Sequence, residues 1–169
     1  FKIGLEKGIT NFSLSFTNSA EDVNEVRRII GNNTNLISKI ESIRGVLNLG
    51  EILPLVDKIL IDRGDLSREV AIEKIPFVQR RIISYAKSKE VPVYVATNLL
   101  ESMIKTSNPT RAEVNDVAST LLMGADGLVL AAETAIGKYP VECVVMANSL
   151  IKQYNRWTPE SSLRDIIEN

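Results

Sequence analysis

Short apolar runs alternate with amphipathic stretches along most of this chain. Five runs read as strands: Asn11–Phe16, Asn35–Glu41, Lys58–Asp62, Pro92–Thr97 and Gly127–Ala131. Several are continuously apolar, as expected of parallel strands covered on both faces. Between them the apolar spacing lengthens to that of a helix. Ser19 is placed as an N-cap ahead of a stripe of Val23, Val26, Ile29 and Ile30, with Gly31 as the stop. Pro76 suits the first turn of a helix running to about Ser88. Thr110-Arg-Ala-Glu113 is a capping-box pattern before Val114, Val117, Leu121 and Leu122, and Gly124 ends that helix. A last helix is expected from about Pro140 to Tyr154. The opening Phe1–Gly8 reads as the final turns of a helix closed by Gly8; with no initiator methionine, the expectation is a piece of something longer. Five strand–helix units in alternation predict an α/β fold built on a parallel sheet with right-handed crossovers.

Polar residues in these runs collect at the carboxyl ends of the strands, where such folds carry their function. The second strand is the most informative. An extended strand sends alternate side chains to one face, so Leu36, Ser38 and Ile40 point one way and Ile37, Lys39 and Glu41 the other. The run therefore ends in a lysine and a carboxylate about 7 Å apart along the strand. The first strand ends in Ser15-Phe16, and the third runs into Asp62-Arg63-Gly64-Asp65-Leu66. The fourth reaches Ala96-Thr97-Asn98 and the fifth Ala131-Ala132-Glu133-Thr134. Taken singly, Asp65 reads equally as a helix cap, Thr97 as a turn residue and Glu133 as a solvated loop charge. Taken together, they are expected to share one rim.

Composition narrows the chemistry. The 169 residues suffice for one domain with a core, and 44% hydrophobic with 24% charged residues is ordinary for a globular protein. A net charge of −1 gives no electrostatic reason to expect nucleic acid or an anionic membrane as partner. No apolar run is long enough to span a membrane. The single cysteine, Cys143, excludes an internal disulfide, fits a reducing, cytoplasmic compartment, and sits in an apolar helical run as a buried thiol would. With no histidine in the chain, any metal here is expected to be a hard cation held by oxygen.

Five segments in order carry a family resemblance. Ile37-Ser-Lys-Ile-Glu41, Arg63-Gly-Asp-Leu66, Ala96-Thr-Asn-Leu-Leu-Glu-Ser-Met103, Pro109-Thr-Arg-Ala-Glu113 and Glu133-Thr-Ala135 resemble pyruvate kinase, and the similarity extends from about Phe1 to Tyr154. The resemblance implies a partial TIM-type (β/α) barrel, about five units corresponding to strands four to eight. It places that barrel on residues 1–155, with 156–169 as a tail holding a turn and at most one short helix. The first three strands, the lid domain and the C-terminal domain of the family have no counterpart here. The open sheet edges are expected to be completed by missing N-terminal strands.

The family's reaction passes the phosphoryl group of phosphoenolpyruvate to ADP. By resemblance, Lys39 is the catalytic lysine beside the transferring group, where a fixed ammonium stabilises developing charge. Glu41 and Asp65 would hold Mg²⁺ or Mn²⁺; a K⁺ site would lie outside this chain. Arg63, Gly64 and Asp65 fall at the substrate site, with amides of Gly64 and Asp65 turned to the substrate carboxylate. Thr97 would hydrogen-bond the same carboxylate, and Ser15 and Phe16 would support the lysine and line the pocket. Arg111 would belong to a subunit interface, implying a homo-oligomer.

The chain also departs from the family pattern. Ala131-Ala132 stands where the family has Ser-Gly, a serine assigned to the proton-relay side of the site. Ser67 replaces a glycine and is expected to cap the next helix; Asn18 replaces an arginine and Asn98 a glutamine. The chain alone is expected not to turn over. Two alternatives follow: a non-catalytic paralogue acting as a binding or assembly module, and a related barrel running metal-assisted aldol chemistry on phosphoenolpyruvate or pyruvate.

Overall fold

The computed structural model of the protein describes residues 1–168. Its centre is a five-stranded parallel sheet in the order β1-β2-β3-β4-β5. The strands are β1 (Asn11–Leu14), β2 (Asn35–Ile40), β3 (Lys58–Asp62), β4 (Val93–Ala96) and β5 (Gly127–Val129). Every crossover steps to the next neighbour in the same direction. A doubly wound sheet reverses direction once, whereas a (β/α) barrel wall never does. The strand order is therefore that of a partial α/β barrel.

The helices fall close to their sequence signals. Short α1 (Lys2–Glu6) precedes Gly8, whose φ of +75° turns the chain out of the helix. In α2 (Ala20–Ile30), Ser19 and Asp22 form a capping box. Two short helices, α3 (Ile43–Leu47) and α4 (Leu49–Ile52), lead into β3. The helix α5 (Arg63–Glu69) starts directly at the end of β3, and α6 (Ile75–Ser88) carries Pro76 in its first turn. The remaining helices are α7 (Arg111–Leu122), α8 (Ala132–Ala135), α9 (Pro140–Arg156) and α10 (Leu163–Glu168). No helix among the described residues is long and apolar enough to cross a membrane.

Several expectations need correction. Ile29 is 41% exposed, so the buried stripe of α2 is Val23, Val26 and Ile30. Leu122, expected on the apolar face of α7, is exposed as well. Four strands are shorter than their apolar runs. β1 ends at Leu14 because Phe16 adopts φ +50°, and β4 ends at Ala96 because Thr97 adopts φ +76°. Left-handed backbone cannot continue a strand. β2 stops one residue before Glu41, and β5 ends at Val129. Ser67 does not cap a following helix; it lies inside α5, where its hydroxyl donates to the Gly64 carbonyl at 2.8 Å.

The chain divides into two compact units. The first, residues 1–98 and 123–131, holds the whole sheet. One sheet face carries Leu36, Ile40, Ile59, Ile61, Val93 and Val95, packed with Val23, Ile52, Ile82 and Ile83 of the helices into one core. The other face carries Lys39, Leu60, Asp62, Tyr94 and Ala96, which strand alternation and register place together. In the second unit, residues 99–122 and 132–168, α7 lies beside α9, with Val117, Leu121, Cys143 and Ala147 buried. The Thr110–Glu113 capping box forms: the Thr110 hydroxyl accepts from the Glu113 amide at 3.2 Å, and Glu113 accepts from the Thr110 amide at 2.7 Å. Cys143 is buried as expected, and burial, aided by Glu133 and Glu113, pushes its thiol pKa up.

Candidate active site

The carboxyl ends of β2 and β3 bring three carboxylates and one lysine together in the first unit. Lys39 projects from the face of β2 opposite the apolar core. Its Nζ lies 2.5 Å from Glu41 Oε1 and 3.2 Å from Asp62 Oδ2. The 7 Å backbone separation expected for Lys39 and Glu41 is thus closed by the side chains into a direct ion pair. Lys39 pairs in register with Leu60, so Asp62 is its diagonal neighbour on β3, within reach of a long side chain.

Glu41 is 1% exposed. A buried carboxylate must be paired and hydrogen-bonded to remain charged. Oε1 has the Lys39 ammonium, and Oε2 accepts the Phe16 backbone N–H at 2.5 Å. This bond accounts for the turn after β1: the left-handed Phe16 has its amide on Glu41 while the residue as a whole remains 50% exposed. Phe16 therefore meets the site through its backbone. Ser15 lies exposed in the same turn.

The end of β3 is tied to the end of β4. Asp62 Oδ1 accepts the Thr97 hydroxyl at 2.6 Å. The next residue, Arg63, donates to the Thr97 carbonyl from Nε at 3.0 Å and from a terminal nitrogen at 2.6 Å. Thr97 is β-branched yet has φ +76°, a conformation that costs energy and persists only when neighbours impose it. Gly64 permits the approach: a Cβ there would fall 2.7 Å from Thr97 Cγ2. Asp65 follows in the first turn of α5 and pairs with Arg68 at 3.2 Å.

The charges reinforce one another. Burial opposes the charged forms of Lys39 and Asp62, and their partners prevail in both. Glu41 and Asp62 hold the Lys39 ammonium pKa above its ordinary value. The Thr97 hydroxyl and Lys39 hold the Asp62 carboxyl below the usual range. Glu41, Asp62 and Asp65 each offer an oxygen within 4.8 Å of the others, a donor set suited to a hard divalent cation.

Lys39, Glu41, Arg63, Gly64, Asp65 and Thr97 thus lie in one neighbourhood, with the Phe16 amide at its edge. The sequence places Asp62 on the rim without a role, although a signal is present: a carboxylate ending an apolar strand immediately before Arg-Gly-Asp. Glu133 belongs to the second unit and is no solvated loop charge: it is 2% exposed and accepts the Leu100 amide N–H at 3.2 Å. Arg111 is exposed at the start of α7.

Comparison with known proteins gives this arrangement a lineage. Residues 1–144 match the family model of the pyruvate kinase barrel domain. A pyruvate kinase of Dictyostelium discoideum is 47% identical over 146 residues, covering 85% of this chain and 29% of that protein. One of Thermotoga maritima is 43% identical over 155 residues, covering 90% of this chain and 33% of that protein. The crystal structure of a pyruvate kinase from Cryptosporidium parvum superposes with a TM-score of 0.89 at 36% identity, over 92% of this chain and 34% of that one. The chain thus spans about a third of the length of the relatives it matches. On the strength of the family match and these relatives, the chain belongs to the pyruvate kinase family and represents part of its barrel domain.

Proposed function

We propose that the protein carrying this chain transfers the phosphoryl group of phosphoenolpyruvate to ADP, giving pyruvate and ATP, and that Lys39, Glu41 and Asp65 serve that transfer. The observation that carries the reading is the Lys39 ammonium, set against the carboxylates of Glu41 and Asp62 at the strand ends of a chain of this family. Phosphoryl transfer needs positioning and charge stabilisation more than covalent chemistry. Lys39 supplies a cation whose pairing keeps it protonated, and Glu41, fixed by the Phe16 amide, prevents it from swinging away. A cation held so costs no reorganisation when charge develops beside it.

The donor set fits Mg²⁺ or Mn²⁺, with Glu41 and Asp65 as the residues that would hold it. A bound divalent ion offsets negative charge on phosphoryl and enolate oxygens. Asp65 has a partly exposed side chain whose partner, Arg68, is itself largely in water, so little opposes its release to a ligand. By the family resemblance, the Gly64 and Asp65 amides at the start of α5 would face an anionic substrate group. Arg63, by fixing Thr97, shapes the wall on the β4 side. Phosphoenolpyruvate and ADP are the partners of this reading, the cytoplasm is its compartment, and other barrel strands or further copies complete the sheet edges. K⁺ would bind elsewhere. Asp65→Ala in the intact protein should lower phosphoenolpyruvate-dependent ATP formation by at least a hundredfold, an effect on the scale of one lost charge-stabilising group. Unchanged turnover, followed by lactate dehydrogenase coupling, overturns the assigned role.

A further inference from the structure

We propose that Asp62 is a positioning residue for this site, holding the Lys39 ammonium and the Thr97 hydroxyl in one frame through the two oxygens of a single carboxylate. The inference rests on the functional reading above for its consequences in catalysis, but its geometry stands alone. Oδ2 faces Lys39 Nζ at 3.2 Å and Oδ1 accepts the Thr97 hydroxyl at 2.6 Å. Asp62 is the last residue of β3, a strand paired with β2 as far as Ile61 on one side, and is itself in register with Ala96 of β4 on the other. Its carboxylate therefore spans three strands and converts their register into the spacing between an ammonium on β2 and a hydroxyl beyond β4.

Thr97 shows why such a frame is needed. A β-branched residue at φ +76° relaxes unless it is held. Arg63 grips its carbonyl and Asp62 its hydroxyl, so two consecutive residues clamp one strained residue from both ends. A hydroxyl has one proton to give. With that proton committed to Asp62, the Thr97 hydroxyl can donate to a substrate carboxylate only by giving Asp62 up, and the fine placement of Thr97 depends on Asp62. Lys39, for its part, stands between Glu41 and Asp62; Glu41 alone would draw it toward the buried end of the site.

The two oxygens can be separated by mutation. Asp62→Asn is nearly isosteric and retains an oxygen for the Thr97 hydroxyl, but removes the charge that attracts Lys39. Asp62→Ala removes both. In the intact protein, Asp62→Asn should lower kcat at least tenfold and leave KM for phosphoenolpyruvate within twofold. Asp62→Ala should lower kcat similarly and also raise KM at least threefold. Mn²⁺ affinity, read by electron paramagnetic resonance, should stay within threefold in Asp62→Asn and collapse in Asp65→Asn. A loss of Mn²⁺ affinity in Asp62→Asn equal to that in Asp65→Asn would make Asp62 a metal ligand and overturn the positioning role. Kinetic constants within twofold of wild type in both Asp62 variants would overturn it as well. Crystal structures of the two variants keep the outcome independent of turnover. Lys39 should move in both, and Thr97 should leave its left-handed conformation in Asp62→Ala alone. Unmoved Lys39 and Thr97 contradict the inference even if the wild type proves inactive, whereas a silent wild type with displaced side chains removes the phosphotransferase reading and leaves the positioning role standing.

Discussion

The two ends of β3 each carry an aspartate paired with a cation, and they do different work. At the amino end, Asp57 accepts the Leu36 amide at 2.7 Å and the Arg27 guanidinium at 2.7 Å. At the carboxyl end, Asp62 binds the Thr97 hydroxyl and Lys39. Both carboxyls are held below the usual range against the cost of burial. A depressed pKa therefore does not tell a structural pair from a functional one. The surroundings do. Around Asp57 the arginine partner is spent on backbone groups that close a loop: Arg27 also donates to the carbonyls of Leu55 and Thr34. Around Asp62 there are two further carboxylates, Lys39, Arg63 and a strained threonine, with Arg68 on Asp65. Clustered carboxylates and stored strain set the Asp62 end apart as the candidate site.

The largest expected effect that tests this contrast is at Lys39. Lys39→Ala should abolish phosphoryl transfer, by a factor on the order of a hundred or more. It also strands the buried Glu41, so urea unfolding should show a loss of about 3 kcal/mol or more. A variant with wild-type stability would mean that the Phe16 amide alone satisfies Glu41. At the other end, Asp57→Asn should cost about 1–2 kcal/mol in the same unfolding experiment, since hydrogen bonds to a charged group are weakened. Its kcat should not change; a loss of turnover at unchanged stability would erase the distinction between the ends.

Acid should reveal the same carboxyl as a stability term. The Asp57 carboxyl has a folded pKa depressed below its unfolded value, so its contribution is fully present above the unfolded pKa. It is lost as the pH falls through the folded value. Glu113 behaves alike in the second unit: burial opposes its charge, and Ser102 and Thr110 outweigh that. Thermal stability should therefore fall as the pH drops below the ordinary carboxylate range, and Asp57→Asn should flatten part of that slope. A parallel pH profile for the variant would contradict the pairing.

The smallest effect concerns Ser38. It is fully buried on the apolar face of the sheet, and its hydroxyl has no hydrogen-bond partner. Ser38→Ala should be neutral or stabilising by less than about 1 kcal/mol, because an unpaired hydroxyl is removed from the core. A clear destabilisation would show that a bound water or another group satisfies it.

Periodicity and punctuation made much of the fold legible. Ser19, Gly31, Pro76 and the Thr110–Glu113 box mark helix ends because each satisfies a local backbone demand that sequence states directly. Alternation along β2 placed Lys39 opposite the core. The misses are non-local. Phe16 leaves β1 early because its amide is taken by Glu41, 25 positions away. Thr97 leaves β4 early because Asp62 and Arg63 hold it. Nothing local in the sequence marks Arg27, and only the fold brings Leu55 and Asp57 to it. From sequence Asp62 is the end of a strand, and its two partners come from the strands on either side. Such contacts follow from register, which no single segment encodes.

The most direct test of the central claim is product formation from phosphoenolpyruvate and ADP by the intact protein, wild type against Lys39→Ala, with Mg²⁺ and K⁺ present. Equimolar pyruvate and ATP from the wild type, lowered at least a hundredfold in the variant, is the predicted result. No product from the wild type, or product that survives the loss of Lys39, would contradict it.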